Sequence, residues 1–180
     1  MDKRLIVELA PGLAFLIGGL AGGLFVGAGL AACATAVAIW LRWRWDQSLP
    51  WLGLAIFALT LILLLAGLAF DDTTFVKISP TIGSLAFAAI IAVGWLFRPS
   101  LLERTLGYAL RVTGRGWTVL HLVWMAISVL RAAINEVVWR NASDRLWTFY
   151  NGFSDLVWIG LFVASTWCVA HLFWQEPQRD

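Results

Sequence analysis

Five long apolar runs constrain this chain more than any other feature: about 24–41, 51–70, 79–97, 118–139 and 153–174. A helix rises 1.5 Å per residue, so about 20 such residues cross the hydrocarbon of a bilayer. None of the runs shows the alternation of a barrel strand. Inside hydrocarbon every backbone N–H and C=O must find a partner, and a helix supplies these within itself. The expected fold is all-α: a polytopic transmembrane helix bundle, one integral membrane domain over 1–180, with five long spans and a short N-terminal apolar helix at about 5–20. Composition agrees, with 61% hydrophobic and 13% charged residues against about 45–50% and about 25% in soluble domains. A soluble core of this length could not take up so much apolar surface. The net charge of +2 gives no electrostatic case for nucleic acid,.

The first apolar stretch is the least regular. It carries Glu8 and Pro11 and runs into Gly18-Gly19-Leu20-Ala21-Gly22-Gly23. It reads as a short span, an interfacial helix or a signal peptide, although Glu8 and the central proline argue against cleavage. Cytoplasmic loops hold the excess of Lys and Arg. With 42–50, 98–117 and the tail inside, seven basic residues (Arg42, Arg44, Arg98, Arg104, Arg111, Arg115, Arg179) face three (Lys77, Arg140, Arg145) on the other side. This places the C-terminus in the cytoplasm. If 5–20 also crosses, Lys3 and Arg4 join the same side and the passes become six. Trp40, Trp43, Trp45, Trp51, Trp95, Trp117, Trp139, Trp147 and Trp174 fall near the ends of runs, where indole meets the headgroups,.

Candidate sites follow from what is costly in lipid. Gly19, Gly23 and Gly27, and Gly18 with Gly22, repeat every four residues, a spacing that lets helix backbones approach,. In the run 118–139, residues 121, 124, 128, 131 and 135 share one helical face,. That face carries His121, Ser128, Arg131 and Asn135, with Glu136 pointing off it. An ionisable residue at the depth of Arg131 faces the bundle interior with a partner, and Asp155 is the expected counter-ion. His121 and His171 have no second ligand at metal spacing. No serine sits in a nucleophile elbow, and Cys33 and Cys168 read as buried small hydrophobes. No enzyme activity, cofactor or metal is expected. In the 98–117 loop, Leu101, Leu102, Thr105, Leu106 and Ala109 form the apolar side of a short surface helix, with Arg98, Arg104, Arg111 and Arg115 as candidate headgroup contacts,.

The sequence resembles the intracellular septation protein A family, bacterial inner membrane-spanning proteins. Asp72, Phe75, Lys77, Pro80, Thr81 and Ile82 carry the strongest match, within DDTTFVKISPTI. Arg98-Pro99 with Leu102, Arg104, Leu106 and Gly107 follows, then Trp117, Trp124, Asn135, Trp147, Tyr150 and Phe153; Glu8 and Pro11 match the family's acidic-x-x-Pro entry. Departures are Gly19-Leu20 for a Tyr-Lys pair, Ser79 and Asn151 for lysines, and Ser154 for a glycine. The resemblance implies a non-enzymatic role in cell envelope biogenesis, envelope integrity and septation. Membrane lipids, and division or elongation membrane proteins, are the partners it suggests. Combined with the charge topology, it places Asp72, Phe75, Lys77, Pro80, Thr81, Arg131, Asn135, Trp147, Tyr150 and Asp155 toward the periplasm. The alternative is a small transporter or lipid-handling protein using the polar face around Arg131.

Overall fold

In the computed structural model the described residues are 3–47 and 51–175, without the side chains of 3–6, 8, 51–53, 55 and 56. The side-chain readings of Lys3, Arg4, Glu8 and Trp51, and all of Arg179, lie outside this description. Among the described residues seven helices follow one another: α1 Lys3–Gly22, α2 Leu24–Asp46, α3 Trp51–Phe70, α4 Thr74–Trp95, α5 Leu101–Leu106, α6 Gly114–Asn141 and α7 Asp144–Leu172. No strand forms among the described residues; Val112 and Trp174 make one isolated antiparallel bridge.

Among the described residues four helices, α2, α4, α6 and α7, are long and apolar enough to cross a membrane. Four of the five expected runs fall in them. The fifth falls in α3, whose described apolar part is the shorter stretch Phe57–Phe70; α1 likewise contributes Leu9–Gly22. The expected starts need correction. Helix α4 begins at Thr74 rather than 79, and α7 at Asp144 rather than 153. Hydropathy marks where apolar residues begin, but a helix extends into polar sequence wherever its first N–H groups find acceptors. The Asp72 carboxylate accepts from Thr74 N–H at 2.8 Å, and Ser143 Oγ from Leu146 N–H at 3.4 Å. Lys77, Arg140 and Arg145, read as loop residues, are therefore helical.

The chain forms two compact units. The first comprises Met1–Gly83 and Asn135–Asp155. Here α1 and α2 make a helical hairpin on one glycine: Gly23, at φ 87°, adopts a backbone conformation that other residues rarely take,. A Cβ on Gly27 would stand 2.7 Å from the backbone of Phe15 and of Gly19, so the glycine repeat does set the close approach,. The unit's core joins Phe15, Leu24, Ala28, Ala32, Leu64, Val76 and Trp147. The second unit comprises Ser84–Ile134 and Leu156–Asp180. Its core is Ile91, Leu102, Leu120 and Val169, with Phe87, Trp117, Trp124 and Phe173 packed against them.

Outward faces are strongly apolar: Ile62, Phe70, Val137, Val163 and Trp167 are all well exposed. Such surface suits lipid and not water. Cys33 and Cys168 are exposed on these faces rather than buried. An apolar neighbourhood in the sequence does not separate protein interior from lipid, since both are apolar.

Candidate functional site

Asn135, near the end of α6, is 1% exposed and ties three helices together. Its Nδ2 donates to the Lys77 carbonyl at 2.9 Å and to Thr81 Oγ1 at 2.8 Å, both on α4. Its Oδ1 accepts from Trp147 Nε1, on α7, at 3.1 Å. The local reason is in α4. Pro80 has no N–H for the carbonyl one turn earlier, so the backbone ladder is interrupted there. The carbonyl deprived in this way is that of Val76; Asn135 donates to the next one, of Lys77, in the same turn. A buried amide in lipid is costly unless both its ends are bonded, and here both are.

Trp147 is buried to 1% exposure and meets Phe15 of α1 edge to face, at 5.7 Å between centroids and 86° between planes. Its assignment to the headgroup zone is corrected. The indole N–H has a buried acceptor in Asn135, so the group that elsewhere seeks the interface is satisfied inside. Tyr150 packs beside the same core. The approach of α1 to α7 depends on glycines: a Cβ on Gly19 would lie 2.7 Å from Thr148 Cγ2, and one on Gly152 3.0 Å from Leu16 Cδ1.

An ion pair rims this cluster. Lys77 Nζ donates to Asp144 Oδ1 in the first turn of α7, with the two side chains 12% and 59% exposed. An acid at a helix N-terminus is favoured by the helix dipole as well as by the lysine. In the turn before α4, the Thr74 backbone N–H and then its hydroxyl hold the Asp72 carboxyl below its ordinary range, with the Lys77 charge adding to this. Phe75 stacks on Phe70 at 5.8 Å. Glu136, expected to point off this face, pairs with Arg140 one turn on, at 2.8 Å, yet its carboxylate also lies within hydrogen-bonding reach of Thr81 and so borders the cluster.

Lys77, Thr81, Asn135 and Trp147 thus come together as one bonded cluster, and Asp72, Phe75, Pro80, Tyr150 and Asp155 belong to the same unit. Arg131 is half-buried on α6 and belongs to the residues of the second unit; Asp155 is half-buried on α7. On the shared face of α6, His121, Ser128 and Asn135 are buried, and Trp124 and Arg131 half-buried. Sequence reasoning missed Asp144 and Phe15. Ser143-Asp144 ahead of an apolar run is a helix-start signal and would have brought Asp144 into α7.

In the second unit Arg98, Arg104, Arg111 and Arg115 are all exposed. The expected surface helix is α5, started by a capping box: the Ser100 side chain accepts from Glu103 N–H, and Glu103 Oε2 accepts from Ser100 N–H at 2.7 Å,. Leu102 is buried and Leu101 and Leu106 half-buried, whereas Thr105 is exposed and Ala109 lies beyond the helix. Arg115 belongs to the first turn of α6 rather than to the loop.

Several apolar helices of membrane-crossing length define a multi-pass integral membrane protein. The model of the intracellular septation protein A family matches residues 3–175, and the chain belongs to that family. It is similar to inner membrane-spanning proteins YciB: 30% identical to that of Mesorhizobium japonicum, over 82% of this chain and 72% of the relative, and 31% identical to that of Sinorhizobium medicae, over 82% and 77%. The protein of Brucella suis is 29% identical over 82% and 72%. No solved structure matches. The chain is accordingly a multi-pass inner membrane protein of a family named for septation.

Proposed function

We propose that the chain is a non-enzymatic inner membrane protein that supports cell envelope biogenesis and integrity during division, acting through a periplasm-facing surface around the Lys77–Asp144 pair. The observation that carries this reading is the Asn135 hub. It fixes the α4 turn bearing Lys77 and the α7 turn bearing Trp147, and so presents an ammonium and a carboxylate at a set position. A fixed ion pair above a bonded frame suits recognition of a partner more than turnover of a substrate. Its chemistry is hydrogen bonding and ion pairing. The periplasmic placement follows from keeping Arg98, Arg104, Arg111 and Arg115 inside. Division or elongation membrane proteins are the partners this surface would meet.

The test is replacement in a strain whose own copy is deleted. Lys77→Gln should lengthen cells and lower tolerance of envelope stress at normal membrane abundance, while Arg111→Gln stays close to wild type. A crosslinker at position 144 should capture a division or elongation membrane protein. Normal cell length and stress tolerance with Lys77→Gln would overturn the reading.

A further inference from the structure

The last two turns of α4, the 97–99 connection and α5 flank an open surface cleft of about 520 Å³. Its lining is Ala89, Ile90, Val93, Gly94, Phe97, Pro99 and Leu101, with a single charged residue, Arg104. We propose that this cleft binds an anionic glycerophospholipid, with one acyl chain in the apolar slot and the phosphate on Arg104.

The slot is built by specific residues. A Cβ on Gly94 would stand 2.6 Å from Leu101 Cβ, so glycine there is what lets α5 lie against α4. Helix α5 is held in place by its capping box and by Leu102, which is 4% exposed in the core with Ile91 and Leu120. The guanidinium is oriented as well. Arg104 Nε donates to the Pro99 carbonyl at 3.1 Å, which fixes its plane and leaves the Nη groups as donors for an oxyanion,. Glu103, the adjacent acid, is committed to Ser100 N–H.

Depth agrees with charge. The cleft lies where a membrane-length helix ends, at the level of Trp95, a residue type that marks the headgroup boundary,. An apolar volume with one cation beside it complements a chain joined to a phosphate. A zwitterionic lipid carries its own cation and gains less from Arg104. This site lies within the second unit and stands or falls independently of the Lys77 surface.

The experiment uses the full chain in nanodiscs of equal phosphatidylglycerol and phosphatidylcholine, extracted into mild detergent, with retained lipid measured by native mass spectrometry. Wild type should retain phosphatidylglycerol preferentially. Arg104→Gln should lower that preference about fivefold, the worth of one arginine beside an anionic headgroup. Arg111→Gln, exposed but outside the cleft lining, should keep it. Ile90→Trp should lower retention of both lipids by filling the slot, and Val93→Trp, at an outward position 55% exposed, should repeat this. An unchanged preference with Arg104→Gln, an equal loss with Arg111→Gln, or unchanged retention with both tryptophan variants would overturn the proposal. So would a dimer, carrying no lipid, that either tryptophan variant dissociates, since a second copy would then fill the cleft.

Discussion

The two units hold their helices together by different means. In the first, one buried amide bonds between helices: Asn135 joins α4, α6 and α7 through Thr81, the Lys77 carbonyl and Trp147, while Thr148 and Ser154 bond back to α7. In the second, buried polar groups mostly bond back to their own helix. Ser128 Oγ donates to the Trp124 carbonyl at 2.8 Å, and His121 Nδ1 meets the Trp117 carbonyl at 2.7 Å. Adhesion there comes from rings and aliphatic groups: Phe87, Trp124 and Phe162 meet at 5.0 to 6.2 Å, and Trp95 stacks on His121 at 5.5 Å. Lipid tails are as apolar as leucine, so burial alone gives helices no reason to associate. Close packing and interhelical hydrogen bonds must do so, and each unit weights one of them.

The largest test of this contrast is Asn135→Ala. It strands the Trp147 indole N–H in the core and removes the donor to the Pro80 turn. A buried group left unsatisfied costs about 1–3 kcal/mol, and the loss should reach about 2 kcal/mol in the thermal or steric-trapping stability of the detergent-solubilised protein. Ser128→Ala, equally buried but bonded to its own helix, should cost under about 0.5 kcal/mol, because its hydroxyl competes with the ladder more than it adds to it. Equal losses at the two positions would erase the distinction.

A smaller effect is expected where the second unit does use an interhelical bond. Trp124 Nε1 donates to Thr166 Oγ1 at 3.1 Å, from α6 to α7. Thr166→Val keeps the shape and removes the acceptor. Bonds of this kind in membrane bundles average about 0.6 kcal/mol, and the aromatic contacts of Trp124 remain. A loss comparable to that of Asn135→Ala would mean that polar bonding governs both units alike.

Much of the architecture was legible because lipid imposes a simple rule on sequence. Apolar runs of membrane length, the glycine repeat before and after Gly23, and the buried face of α6 all follow from periodicity and cost. The bonded cluster was legible only in its members. Lys77, Thr81, Asn135 and Trp147 stood out by resemblance, but their mutual bonds depend on α7 beginning at Asp144, well before its apolar run. Trp147 was misplaced for the same reason. An indole near the end of a run looks interfacial until a buried acceptor is known, and no local pattern discloses an acceptor on another helix. The two cysteines illustrate the complementary limit, since hydropathy does not tell lipid from protein interior. The α5 cleft has no sequence pattern at all: it arises from Gly94 meeting Leu101, a contact across the Arg98-Pro99-Ser100 connection.

The smallest expected effect concerns the turn that starts α4, outside the hydrocarbon. The Asp72 carboxylate accepts from the Thr74 backbone N–H and hydroxyl, which hold its pKa below the ordinary 3.8. A depressed folded-state pKa means that folding favours the charged form. The stabilisation is therefore complete above 3.8 and is lost as pH falls through the lowered folded value,. Asp72→Asn keeps a side-chain oxygen for Thr74 N–H but removes the charge and its attraction to Lys77. The variant should melt slightly below wild type at neutral pH, and the gap should close as pH drops below 3.8, since the other carboxyls titrate alike in both proteins. The carboxylate is fully exposed, so the gap should be the smallest of the three. A gap that stays constant from neutral to acid pH would assign the role of Asp72 to its shape alone, and the Lys77 rim would then owe nothing to this charge.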